Sequence, residues 1–270
     1  MKKLGLISGT GELPLAIASE ARSRGYCVVA IGLEPLAHES LSSVVDEITW
    51  VHVGKLGEII NTLKKSGCKE AVMAGKVPKT LLYKGNVTPD LRAVKVMFSL
   101  KDRSDDAILL AISRELEKDG IILRNTTDFS TELLTPEGVL TVEEPSKEEW
   151  KDIAFGWKIA KEIGRLDVGQ TVVVKGRAVM AVEAIEGTDE AILRGGKLAG
   201  KGAVVVKVSK PEQDMRFDVP VVGTDTLKAM IKIHARVLAV EAEKSILMDR
   251  ENILNKAAKA GISVVGYSTT

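Results

Sequence analysis

The densest stretch of usable chemistry in this 270-residue chain is Val204 to Leu227, "VVVKVSKPEQDMRFDVPVVGTDTL". An apolar strand gives way to Lys207, Lys210, Gln213, Asp214, Arg216 and Asp218. Pro220-Val221-Val222-Gly223 then leads into Thr224-Asp225-Thr226 at a helix start. Ordering acids and bases interleaved over ~20 residues costs conformational entropy that a bound ligand can offset. Lysine and arginine suit phosphate oxygens. A few carboxylates suit Mg2+, which takes one or two from the protein and leaves the rest to water and substrate phosphates. Asp225 taken alone reads as a helix cap; in this company it becomes a candidate for chemistry.

A second stretch, Val182 to Gly202, reads "VEAIEGTDEAILRGGKLAGKG". The strand-end acids Glu183 and Glu186 precede Gly187-Thr188-Asp189, where Thr188 or Asp189 serves as an ordinary N-cap. Beyond them Arg194, Lys197 and Lys201 stand among Gly195, Gly196, Gly200 and Gly202. A flexible cationic segment of this kind can close over an anionic ligand. It can equally be a mobile surface loop, and the two readings stand level.

The third stretch opens the chain. The strand Leu4–Ile7 runs into Gly9-Thr10-Gly11, whose backbone N–H groups can approach a phosphate at a helix N-terminus. Glu34 stands near the place of a ribose-binding acid. Pro14 replaces the third glycine of a dinucleotide loop and starts the helix instead. An anion or sugar hydroxyl therefore fits this loop better than a nicotinamide cofactor, with a tight turn as the plainer alternative. Ser104-Asp105-Asp106 forms a good helix start, where the dipole favours negative charge.

The elements that must position these groups fall into two rhythms. Strands at Leu4–Ile7, Cys27–Leu33, Ile48–Val51, Glu70–Met73 and Ile121–Leu123 alternate with helices, the mark of a parallel sheet with crossovers. Leu56, Ile59, Ile60 and Leu63 lie on one helical face. The polar stretch 126–147 loosens the pattern, and a helix near 146–163 follows, with Trp150 and Trp157 on its apolar face. Closer strands then appear at Thr171–Lys175, Val179–Ala184, Ala203–Val208, Val237–Val240 and Ile262–Gly266. Helices are expected near 189–198, 226–234 and 249–260. The expected fold is α/β in two domains: a Rossmann-like parallel sheet over 1–130, a linker at 131–145, and a mixed-sheet catalytic α/β domain over 146–270.

Composition narrows the function classes. Lys+Arg number 38 against Asp+Glu 37, a net charge of +1, so there is no electrostatic footprint for nucleic acid. Cys27 and Cys68 lack metal-ligand spacing and read as reduced thiols in a cytoplasmic protein. The three histidines are too scattered for a metal site. No apolar run reaches the ~18 residues of a membrane span, and the N-terminus lacks the apolar run of a signal peptide. Membrane contact, if any, is then peripheral.

Taken in order, several segments resemble the UDP-2,3-diacylglucosamine pyrophosphatase family of the LpxI type. They are "GLISGTGELP", "GKVPK", "DDAIL", "EIGRLDVGQTVVVKG", "AVEAIEGTDEAILR", "KVSKPEQDMRFDVPVVGTDT" and "LMDREN". The combination of the EGTD stretch with PxQDxRxDxP…GxDT is specific, and the resemblance covers essentially the whole chain. Lys79-Thr80 and Ile112 depart from the family's more basic usage at those places.

The resemblance implies a cytoplasmic enzyme of lipid A synthesis with two α/β domains. It would hydrolyse the pyrophosphate of UDP-2,3-diacylglucosamine, with Mg2+, to UMP and 2,3-diacylglucosamine 1-phosphate. Its catalytic aspartate corresponds to Asp225. Beside that resemblance, the density of charge points to Asp225 as holding Mg2+ or orienting the attacking water, with Asp214 as a second candidate metal ligand. Lys207 and Arg216 would follow the phosphates, and Gly9, Gly11, Thr188, Asp189, Gln213, Thr224 and Thr226 would complete substrate binding. A lipid substrate implies transient contact with the inner-membrane surface, and a homodimer is compatible with the sequence. The rival reading is a non-catalytic nucleotide-sugar or dinucleotide-binding module whose acids only cap helices; an NAD-dependent oxidoreductase using the opening loop is a third.

Overall fold

The computed structural model describes residues 1–78, 88–100, 105–211, 213–217 and 219–269, with the side chains of Asp105 and Asp106 left aside. Lys79, Thr80, Ser104 and Asp218 thus lie outside the described residues. Two compact units emerge, one of Met1–Ser130 with Asp214–Asp218, the other of Thr131–Gln213 with Val219–Thr270.

The first unit runs β1 (Lys3–Ser8), α1 (Leu13–Ser23), β2 (Cys27–Glu34), β3 (Glu47–His52), α2 (Leu56–Lys65), β4 (Glu70–Ala74), α3 (Leu91–Ser99), α4 (Asp105–Lys118) and β5 (Ile122–Leu123). Its five strands are all parallel in the order β3-β2-β1-β4-β5. Cys27 to Leu33 are buried without interruption, as a parallel strand covered on both faces requires. Leu56, Ile59, Ile60 and Leu63 of α2 are the four buried residues of that helix, matching their spacing.

The second unit runs β6 (Gly138–Val139), α5 (Lys147–Arg165), β7 (Thr171–Lys175), β8 (Ala178–Val182), α6 (Thr188–Ala199), β9 (Val204–Lys207), β10 (Val221–Val222), α7 (Thr224–Lys232), β11 (Val237–Glu241), β12 (Ile246–Leu247), α8 (Arg250–Lys259) and β13 (Ser263–Tyr267). Six strands order as β6-β13-β11-β9-β7-β8. β9, β11 and β13 are parallel, while β7, β8 and β6 run antiparallel to their neighbours, so the sheet is mixed as expected. β10 and β12 form a separate parallel pair.

Alternation along the strands builds two cores. Val204 and Val206 pack with Ile153 and Trp157 of α5. Val205 packs on the other face with Ile192 of α6, Leu227 of α7 and Ile253 of α8. A capping box starts α5: Glu149 donates its N–H to Ser146 Oγ, and Ser146 returns its own to Glu149 Oε2.

Glycines decide how closely the helices approach the sheet. A Cβ on Gly156 would sit 2.8 Å from Val206, and one on Gly195 2.7 Å from Val173. The glycine-rich stretch, expected as either a closing segment or a mobile surface loop, is therefore mostly the last turns of α6, and its Gly195 and Gly196 are packing residues. Residues 131–145, expected as a linker, supply β6 and count with the second unit. Both cysteines are free and buried. Among the described residues no helix is long and apolar enough to cross a membrane.

Candidate active site

β9 delivers Lys207 to its carboxyl end, where the side chain is only 4% exposed. Lys207 Nζ donates to Thr188 Oγ1 at 2.7 Å, and that hydroxyl donates to Glu183 Oε1 at 2.8 Å. Glu183, also buried, lies one residue past β8 and takes the Gln170 N–H at 3.3 Å. One hydroxyl, at the first position of α6, thus joins a buried ammonium to a buried carboxylate. A hydroxyl can do so because it accepts and donates at once.

The first turn of α7 is tied to the same place. Thr226 Oγ1 donates to Asp189 Oδ1 at 2.8 Å, linking the starts of α6 and α7. Both helices begin at a glycine, Gly187 at φ +85° and the extended Gly223, and neither has a side-chain cap. Thr188 and Asp189 are therefore not the ordinary caps that the sequence suggests. Asp225 is no cap either: its carboxylate is 81% exposed and pairs with Lys228 at 2.9 Å, one turn along. Thr224, half-buried, is the first residue of α7. Two uncapped first turns, with the positive ends of their dipoles and a buried lysine between strand and helix, form an anion-receiving arrangement.

The loop after β9 is held by residues that sequence reasoning did not single out. Glu241, buried at the end of β11, accepts the Ser209 N–H at 2.8 Å and Lys161 Nζ at 2.5 Å. Lys161 also donates to the Ser209 carbonyl and lies 5.1 Å over the Trp157 ring. Gln213 Oε1 accepts from Ser209 Oγ and the Lys210 N–H at 2.9 and 2.8 Å, closing the loop on itself. Its carbonyl is engaged in the fold rather than turned to a ligand.

Asp214 and Arg216 belong to the first unit. Arg216 grips Asp214 with two donors, Nε to Oδ1 at 2.9 Å and Nη2 to Oδ2 at 2.6 Å. Its third arm reaches Ser113 Oγ on α4 at 3.1 Å. The guanidinium holds the Asp214 carboxyl below its ordinary 3.8, and Asp214 in turn raises Arg216. Asp214 here is occupied as an orienter of Arg216.

In the opening loop, Gly9 donates its N–H to Ala74 O at 2.8 Å, and Thr10 and Lys76 exchange both backbone hydrogen bonds. A Cβ at Gly9 would fall 2.6 Å from Lys76 O. Gly9 is thus required by the contact between the β1 and β4 loops, and its N–H is already used. Gly11, at φ +108° with open space around it, stays accessible.

Among the described residues no group of three or more His, Cys, Asp or Glu could enclose a metal. The donor set suits a different mode. The exposed Asp225 carboxylate fits Mg2+ held chiefly by water and substrate phosphates, and does not form a preassembled cage.

Fold and site together define a two-unit α/β protein with an anion-receiving helix pair in its second unit. A family model for the LpxI N-terminal domain matches residues 3–133 and one for the LpxI C-terminal domain matches 136–265. The chain belongs to the LpxI family. It is 33% identical, over 98% of both chains, to UDP-2,3-diacylglucosamine pyrophosphatase LpxI of Caulobacter vibrioides. Solved structures show only distant likeness. Phosphoribosylglycinamide synthetase of Anaerococcus prevotii matches 71% of this chain and 34% of its own at 16% identity and TM-score 0.26. N5-carboxyaminoimidazole ribonucleotide synthetase of Thermotoga maritima matches 71% and 43%, at 16% and 0.26. The match thus spans less than half the length of each of these two enzymes.

Proposed function

We propose that this chain is a UDP-2,3-diacylglucosamine pyrophosphatase of lipid A synthesis, releasing UMP and 2,3-diacylglucosamine 1-phosphate. Water adds to one phosphorus of the pyrophosphate, the bridging P–O bond breaks, and the leaving phosphate carries off the electron pair. Such a reaction is accelerated mainly by positioning and by neutralising charge. Lys207 and the first-turn N–H groups of α6 and α7 receive phosphate oxygens. Thr188 holds the Lys207 ammonium in place, and Thr226 with Asp189 keeps the two first turns in register. Asp225, exposed at the rim, orients the attacking water by accepting its proton in a hydrogen bond. Mg2+, held by Asp225 and the phosphates, would add further neutralisation of the phosphate oxygens. Arg216, oriented by Asp214, is a further candidate for substrate binding, as are Thr224 and Gly11.

The observation that carries this reading is the Lys207–Thr188–Glu183 chain at two uncapped helix starts. Release of UMP from the diacylated substrate tests it. The expected result is turnover abolished by EDTA and lost in a folded Asp225→Ala variant. Tight binding without turnover would replace the enzyme with a nucleotide-sugar-binding module.

A further inference from the structure

Along the C-terminal turns of α6 and α7, reaching back to Glu190 near the start of α6, lies an open hollow of about 770 Å³. Arg194, Lys197 and Lys201 line one side and Lys232 the other, with Ile233 and Leu193 among the apolar residues and Glu190 as the one carboxylate. The hollow exists because Gly196 lets the helices meet: a Cβ there would lie 2.3 Å from Ile233. Its rim is fixed by backbone contacts. Lys175 Nζ donates to the carbonyls of Ala199 and Lys201 at 2.8 and 2.7 Å, and Gly202 donates its N–H to His234 O at 2.9 Å.

Arg194 is neutralised by Glu186. Among the described residues Lys197, Lys201 and Lys232 have no ion-pair partner, in a chain whose net charge is only +1. Cations near helix C-termini are favoured by the dipole, which alone accounts for Lys197 and Lys232. It does not account for Leu198, 68% exposed beside Lys197, or Ile231, 38% exposed beside Lys232.

We propose that this face of α6 and α7 docks on a bilayer of anionic phospholipid, with headgroup phosphate in the hollow and Leu198 and Ile231 at the acyl boundary. Basic residues with interspersed aliphatic ones are the composition of an interfacial surface. A nucleic-acid surface would carry several aromatic rings for stacking, and among the residues lining the hollow the imidazole of His234 is the single ring. Docking would hold the candidate site roughly 10 to 17 Å away along the helices, counted at 1.5 Å per residue. The inference rests on the lipid substrate proposed above, but its test does not use that substrate.

The full chain is sedimented with vesicles of phosphatidylcholine mixed with phosphatidylglycerol, and with phosphatidylcholine alone. The expected result is binding to the mixed vesicles only, weakening steeply with added salt. A Lys197→Glu, Lys232→Glu double variant should lose at least tenfold in vesicle affinity, and Leu198→Asp should lose affinity without changing the net basic charge of the hollow by more than one. Both should keep the circular dichroism of the parent and its UMP release from detergent-dispersed substrate. Equal binding to neutral vesicles, or unchanged affinity in the folded double variant, would each overturn the proposal. Vesicle binding together with absent UMP release would overturn the enzymatic reading and leave the docking face standing.

Discussion

Thr226 Oγ1 lies 2.8 Å from Asp189 Oδ1, and this one hydrogen bond joins the first turns of α6 and α7. Neither residue caps its own helix. The bond instead fixes the relation between the two first turns, whose N–H groups the proposed function assigns to phosphate oxygens. Thr226→Val keeps the shape and removes the donor. Stability should fall by about 1 kcal/mol, the usual net worth of such a bond, and UMP release by more than that implies, about tenfold, because misplaced groups cost rate steeply. A double-mutant cycle with Asp189→Ala, by urea unfolding and by turnover, isolates the coupling; additive effects in both would show that the link is idle.

Lys207 links stability to activity. The residue is 4% exposed, and Thr188 joins its ammonium to the buried Glu183 carboxylate. Removing one charge of a buried pair leaves the other uncompensated and costs about 3–5 kcal/mol. Lys207→Met should therefore unfold at a lower urea concentration than the parent, and Glu183→Gln in the same chain should recover part of the loss. Turnover should drop by about a hundredfold or more, as when one donor to developing charge is removed. Parent-like turnover in the folded variant would remove Lys207 from the phosphate site.

Gly196 tests whether "RGGKLAG" is packing or a flap. A flexible loop accepts alanine without cost, and in a helix alanine gains about 1 kcal/mol over glycine. Here the new Cβ would meet the Ile233 side chain at 2.3 Å. Overpacking of this kind costs about 1–3 kcal/mol, so Gly196→Ala should lower the urea midpoint despite its better propensity. Ile233→Ala in the same chain removes the Cγ2 and Cδ1 atoms that the new Cβ would meet at 2.4 and 2.7 Å, and should recover part of the loss.

The sheets were legible because their strands are short apolar runs between turn residues, and Leu56 to Leu63 announced its buried face by spacing alone. β6, β10 and β12 escaped notice because two residues carry no period. The candidate site was legible as residue types: Lys207, Thr188, Asp189 and Thr226 stand in stretches where acids and bases crowd strand ends. Their roles were not, since a threonine before an acid looks like a cap whether or not its hydroxyl turns to a lysine on another strand. Glu183 was visible only as a strand-end acid. Lys161 and Glu241, 80 positions apart, gave no local signal, because only the fold brings them to Ser209. The glycines at 195 and 196 misled for the converse reason: conformational freedom and close approach leave the same letter in a sequence.

Asp214 makes a pH-dependent contribution whose sign follows from its partner. The Arg216 hydrogen bonds, which outweigh the opposing effect of burial, lower its carboxyl pKa below the ordinary 3.8 in the folded protein. A depressed carboxyl stabilises the fold above the unfolded value, and that contribution fades as pH falls through the lower folded value. Both partners are about three-tenths exposed, at 31% and 26%, so solvent screening limits the gain to about 1 kcal/mol. Asp214→Asn should therefore lower the urea midpoint at neutral pH, and the gap to the parent should close in acid below the usual carboxylate range. The same variant frees Arg216 to turn away, so KM for the lipid substrate should rise more than kcat falls if Asp214 acts only by orienting that guanidinium. A loss confined to kcat, together with a changed Mg2+ requirement, would return Asp214 to the role of metal ligand.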